Sequence, residues 1–157
     1  QAEFVFENEN GITINGNLTI RENTKVTIRS KLPLVGGKTT VVILNGNLIM
    51  ENNSELIITS KGIFQFEGDE ATLNNSKITV SDCGSLYNAN LDLQNTSCTL
   101  DFECGSYFNI FNIKNTTNSQ INIGKNSYGG TGIPTQVFSN WSETKFGCDK
   151  AEIPSCN

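Results

Sequence analysis

The sequence predicts an all-β fold, a right-handed parallel β-helix (β-solenoid) of about five coils with caps at both ends. Residues 41–105 read as three copies of one unit of 21 or 22 residues, VVILNGNLIMENNSELIITSKG, IFQFEGDEATLNNSKITVSDCG and SLYNANLDLQNTSCTLDFECG. Within each copy apolar residues alternate with polar ones on both sides of an Asn-Asn-Ser or Asn-Thr-Ser corner: Leu48, Met50 then Leu56, Ile58; Ala71, Leu73 then Ile78, Val80; Leu91, Leu93 then Cys98, Leu100. Period-two alternation is the mark of a strand with one buried face. No segment sustains a 3.6-residue period, and β-branched residues dominate, which disfavours helix.

Taken in order, residues 1–10 (QAEFVFENEN) alternate weakly and read as a cap strand over the first rung, because an open solenoid end exposes core and strand edges. The coils occupy residues 11–125. The first carries an insertion, KLPLVGGK at 31–38, whose proline and two glycines predict a loop thrown out of the coil. The fifth is YFNIFNIKN and SQINIG, with two extra residues at Thr116 and Thr117. From 126 to 157 the pattern stops, and this stretch reads as an irregular disulfide-bonded cap or the start of a following cysteine-rich module.

Aligning the coils on Thr24, Ser54, Ser76, Thr96 and Ser119 places Val26, Leu56, Ile78, Cys98 and Ile121 in one inward row. Ile28, Ile58, Val80, Leu100 and Ile123 form the next, and Thr27, Ile57, Thr79, Thr99 and Asn122 point outward. This register makes Cys83 and Cys104 stack on adjacent coils. Strands about 4.8 Å apart lie inside the disulfide window of roughly 4.4–6.8 Å between Cα atoms, so a Cys83–Cys104 bridge is expected. Cys148 and Cys156 are the natural second pair, and Cys98 is expected to be a free buried thiol acting as a small hydrophobe. Two bridges imply an oxidising compartment, and the start at Gln1-Ala2-Glu3 suits a mature chain after signal-peptide removal. The expected location is therefore extracellular or at the cell surface. Sequons begin at Asn17, Asn52, Asn74, Asn95, Asn115 and Asn140, candidates for glycosylation. An alternative role for Asn53, Asn75 and Asn95 is a stacked ladder that ties the corners together.

The net charge of −5, with no Lys/Arg cluster, makes nucleic acid and anionic membranes poor partners. No apolar run approaches the length of a transmembrane helix, so direct membrane insertion is not expected. The chain has no histidine, which removes Ser-His-Asp and Cys-His catalysis. Asp82 and Glu103 precede the two stacked cysteines and should be neighbours, a weak candidate for a shared proton or, with Asp101, for Ca²⁺. Arg21 and Arg29 lie at the other end of the chain from these acids, so a polysaccharide lyase or hydrolase reading ranks below adhesion and glycan binding, and no cofactor or metal is expected. A glycan platform wants exposed aromatics beside amides. Tyr87, Tyr128 and Trp141 are its candidates, because Phe64, Leu86 and one of Tyr107 or Phe108 fall on the core face.

The recurrent NGNLTI, NGNLIM and NNSELII segments, closing each coil at a glycine, resemble the β-helical stalks of cell-surface adhesins, including Asn-rich surface proteins of amoebae, over residues 11–125. The resemblance implies a structural or adhesive stalk, in places with lectin function, and carries over no catalytic residue. The expected function is thus a non-enzymatic extracellular β-solenoid domain acting in adhesion or assembly. A lectin-like glycan-binding domain is the alternative. Expected partners are a cell-surface protein, a glycan, a second copy of the chain or a larger parent chain.

Overall fold

The computed structural model describes residues 2–68, 70–103 and 105–123, and the backbone of 128–129 and 141–142. It is an all-β solenoid of about five turns built from parallel ladders. A lead strand, β1 (Ala2–Phe6), precedes the coils. The first three coils have three strands each. These are β2 (Ile12–Asn15), β3 (Leu18–Ile20) and β4 (Thr24–Arg29); β5 (Val41–Asn45), β6 (Leu48–Met50) and β7 (Glu55–Thr59); and β8 (Ile63–Phe66), β9 (Ala71–Leu73) and β10 (Lys77–Val80). The next two coils have two strands each, β11 (Ser85–Asp92) with β12 (Thr99–Phe102), and β13 (Tyr107–Lys114) with β14 (Gln120–Ile123). Short strands β15 (Tyr128–Gly129) and β16 (Trp141–Ser142) follow.

Equivalent strands stack into three faces. Face A is β1, β4, β7, β10, β12, β14 and β16. Face B is β2, β5 and β8, continued by the first halves of β11 and β13 and by β15; face C is β3, β6 and β9, continued by the second halves of β11 and β13. Because β11 pairs with β8 through Ser85–Tyr87 and with β9 through Leu91–Asp92, faces B and C become one hydrogen-bonded sheet. The alternation explains the core. Face A turns inward Leu56, Ile78 and Leu100, face B Val42, Phe64, Leu86 and Phe108, and face C Leu48, Ala71 and Leu91, each at most 3 % exposed.

The corners are built by residues that tolerate left-handed backbone. Asn23, Asn53, Asn75 and Asn118 have φ of 60°, 59°, 42° and 71°, and each immediately precedes a face A strand or its first buried hydroxyl. Asn53 donates its amide to Asn23 Oδ1 at 2.7 Å, and Asn75 Oδ1 accepts the Ser97 N–H at 3.0 Å. Asn95 joins the stack through its backbone, its carbonyl accepting from Asn118 Nδ2 and its N–H donating to Asn115 O. The corner between faces B and C is tighter: a Cβ on Gly46 would collide with the Gly16 carbonyl, and one on Gly68 with the Gly46 carbonyl. In the fourth coil no glycine stands at this corner. Asn88, at φ 62°, makes a bulge instead, and the pairing shifts between Tyr87↔Asn109 and Ala89↔Ile110.

The pairing corrects the expected register of the fourth coil. Leu100, not Cys98, lies opposite Ile78 and Ile121, and Phe102, not Leu100, opposite Val80 and Ile123. The outward row therefore runs Thr27, Ile57, Thr79, Asp101, Asn122, with Asp101 in place of Thr99. Cys98 belongs to the corner row of Ser54, Ser76 and Ser119: Thr99 N–H bonds to Ser76 O, and Gln120 N–H to Cys98 O. The Gln94-Asn95-Thr96-Ser97 corner is longer than its counterparts, which moves the equivalent position from Thr96 to Cys98.

The segment before β2 adds a rung below face A. β1 pairs in parallel with β4, with Phe4 opposite Val26. Phe6 packs on the core, whereas Phe4 remains 55 % exposed, so the cap covers the end only in part. The 31–38 segment leaves the solenoid through a cis Leu32–Pro33 bond and a 3-10 turn at Val35–Gly37. Its base is held by Ser30, whose hydroxyl accepts the Thr40 N–H at 2.9 Å and donates to Lys61 O at 3.0 Å.

Candidate functional site

The outward rows of face B combine hydroxyl, amide, aliphatic and aromatic side chains. One row is Thr13, Ile43, Gln65, Tyr87 and Asn109, and the other is Val41, Ile63, Ser85 and Tyr107. Straight stacking sets these rows side by side, and two depressions lie along them. One, of about 180 Å³, is lined by Thr39, Lys61, Ile63, Ser85, Tyr87 and Tyr107. The other, of about 480 Å³, lies between β2, β5 and the end of the 31–38 loop, with Glu9, Thr13, Lys38 and Thr39 around Val41 and Ile43. Thr39 lines both.

The structure divides the expected aromatic platform. Tyr87 lies on face B, half-buried, and Tyr128 pairs with Tyr107 on the same face. Trp141 pairs with Ile121 on face A, so it does not join them. Tyr107, which the sequence leaves as an alternative to Phe108 for the core, points outward half-buried, while Phe108 is 3 % exposed. Thr39 and Lys61 carry no sequence signal of their own, since they come from a loop base and a corner of different coils.

The acids are arranged differently from expectation. Glu103 lies opposite Ser81 rather than Asp82, because its N–H bonds to Val80 O within a ladder offset of 22 residues. Asp82 is exposed and accepts from Thr59 Oγ1 at 3.3 Å. Asp101 is 4 % exposed, accepts from Asn122 Nδ2 at 2.7 Å and pairs with Lys77 Nζ at 3.1 Å. Burial raises the Glu103 carboxyl above its ordinary range, and the negative charges of Asp101 and Asp82 push the same way, against Lys77. Asp101 is thus committed to structural partners. Among the described residues no three of His, Cys, Asp and Glu gather to hold a metal.

The same offset of 22 on both sides of this corner, Val80↔Phe102 and Ser85↔Tyr107, sets Gly105 opposite Cys83. Their φ values of 77° and 63° match. Cys83 is disulfide-bonded, and Cys104, Cys148 and Cys156 lie outside the described residues. Cys98 is a free thiol, 2 % exposed, with Sγ 3.2 Å from Thr96 Oγ1.

Five of the six sequon asparagines are exposed at corners, and Asn140 is outside the described residues. Asn17 Oδ1 accepts the Asn47 N–H, Asn52 donates to Glu22, and Asn115 donates to Asp92. Among the described residues no helix is long and apolar enough to cross a membrane. No protein-family model, curated protein or solved structure matches the chain.

Proposed function

We propose that this chain is a non-enzymatic extracellular or cell-surface β-solenoid domain that acts in adhesion or as a structural element of an assembly. The supporting observation is the continuous parallel stack of face A, seven strands from β1 to β16, which makes a rod whose outward rows stand in register. A rod of this kind holds binding groups at fixed spacing, as a surface stalk requires. The disulfide at Cys83 and the exposed sequon asparagines favour the secretory route, and the likeness of the NGNL coils to Asn-rich amoeba-like adhesins points the same way. Partners on this reading are a surface protein, a glycan or further copies of the chain, and not nucleic acid, given the net charge of −5. The test is adhesion of beads coated with the chain to cultured cells, with parallel incubation on plant and microbial polysaccharides. No adhesion above an albumin-coated control would count against the adhesive role, and release of reducing ends would count against the non-enzymatic one.

A second reading, a glycan-binding domain, is favoured by Tyr87 and Tyr107 standing beside Ser85 and Thr39 on one face. Aromatic rings next to hydroxyl groups suit the mixed polar and apolar surface of a sugar. Reproducible binding on a glycan array that is lost in Tyr87→Ala supports it.

A further inference from the structure

We propose, building on the glycan-binding reading, that the two depressions of face B form one linear site for an extended, ribbon-like oligosaccharide lying across the strands, parallel to the solenoid axis. The depressions share Thr39 and together run from β2 to β13. At about 4.8 Å per rung that is roughly 19 Å, the reach of a short oligosaccharide.

The floor is straight. Thr13, Ile43, Gln65 and Tyr87 stand in one row and Val41, Ile63, Ser85 and Tyr107 in the next, each stacked on its neighbour through parallel pairing. A straight, flat floor receives a chain whose rings repeat in an extended ribbon, as equatorially linked pyranoses do, and not one that coils. Chemistry varies along the floor. Val41, Ile43 and Ile63 offer apolar surface to the C–H faces of sugar rings, and Thr13, Thr39 and Ser85 offer hydroxyls that both donate and accept. At the β11–β13 end the rings of Tyr87 and Tyr107 supply a stacking surface.

A peptide is a poorer occupant. Strand addition needs an unpaired sheet edge and would lay the peptide along β2, the outer strand, whereas β5, β8, β11 and β13 under the rest of the site are paired on both sides within face B. A polyanion is poorer as well, because Glu9 stands beside Lys38 in the larger depression.

Calorimetric titration of the chain with cello- and chito-oligosaccharides, from disaccharide to hexasaccharide, tests the site, with maltohexaose as the coiled control. The expected result is affinity for at least one ribbon series that rises about tenfold or more with length, and none for maltohexaose. Tyr87→Ala should weaken the hexasaccharide by about tenfold or more. Thr39→Trp, a partly exposed position away from the core, should do the same by filling the junction of the two depressions, with circular dichroism reporting the fold. Phe111→Ala, at a residue 60 % exposed on the B–C corner, should leave binding unchanged. Affinity independent of length, binding that survives both groove substitutions, or binding confined to coiled or branched glycans overturns the linear site and leaves a lectin elsewhere on the chain. No binding to these sugars or to a broad glycan array removes the glycan reading and the linear site together.

Discussion

At the level of single residues, backbone contact and burial decide what each position accepts. Gly46 has no room for a side chain, since a Cβ there meets the backbone of the coil below at Gly16. Gly46→Ala should cost about 3 kcal/mol, because the obstruction is main chain and cannot rotate away; urea unfolding measures it. Glu103 responds to pH. Its carboxyl is raised, chiefly by burial, so between the ordinary value of 4.5 and the raised one the folded chain holds more protons than the unfolded chain. Stability from this group falls as pH rises through that window and is level above it. Glu103→Gln should remove the fall and leave the variant more stable at neutral pH, by under about 1 kcal/mol for a partly exposed group. Melting temperatures of both proteins across the window decide it, and a difference that does not change with pH would sink the idea. Cys98 shows what residues alone reveal. Its burial was legible from its parity with Leu100, but its rung partners were not, since Thr96 and Cys98 both follow the corner at positions of the same parity. A slip of two residues keeps a side chain on the same face while changing its neighbours.

Individual strands and corners carry the next set of consequences. Asp101 on β12 ties β10 to β14, taking Lys77 from one side and Asn122 from the other. Asp101→Ala should cost about 2 kcal/mol, since two buried or half-buried donors lose a charged acceptor. Lys77→Ala should cost under about 1 kcal/mol because its side chain is 43 % exposed. Chemical denaturation of the two variants gives the comparison, and equal costs would mean that Asp101 acts by charge pairing alone. The strands of the first three coils were legible because NGNLTI, NGNLIM and the alternating segments after them repeat in period and composition. The fusion of two strands into β11 was not. Tyr87-Asn88-Ala89-Asn90 alternates like a strand, and only the left-handed backbone at Asn88 shows that it bends around a corner. The groove on face B was half legible: Tyr87 follows from parity, while Thr39 and Lys61 reach it only through stacking of separate coils. The glycines of 62, 84 and 105 looked equivalent, yet stacking sets Gly62 level with Gly84 and Gly105 level with Cys83. Corners lack the alternation that fixes strands, so a slip of one residue there leaves no trace in the pattern.

Across the whole molecule, each coil touches its neighbours and little else, so coils should be removable as units. Thr40 and Gly62 occupy equivalent places, since Ile63 N–H bonds to Thr40 O and Ser85 N–H to Gly62 O. Deleting residues 41–62 joins Thr40 to Ile63 and sets Gly68 above Gly16, where Gly46 stood. The shortened chain should keep its β circular dichroism and lose urea m-value in proportion to the coil removed. It should also lose some stability, because removal of Glu55 brings Lys25 beside Lys77. An unfolded product would show that cooperativity extends beyond adjacent coils. The repeat offset has a mechanical meaning too. Hydrogen bonds between rungs run along the rod, so a pull on its ends loads them in line, and the coils before Cys83, which hold no cysteine, give way one at a time from the N-terminal end. Each coil of 22 residues that comes free releases roughly 75 Å of slack while giving up a single rung of about 4.8 Å. Under load the rod is therefore a stepwise extensible tether, whose travel far exceeds its resting length.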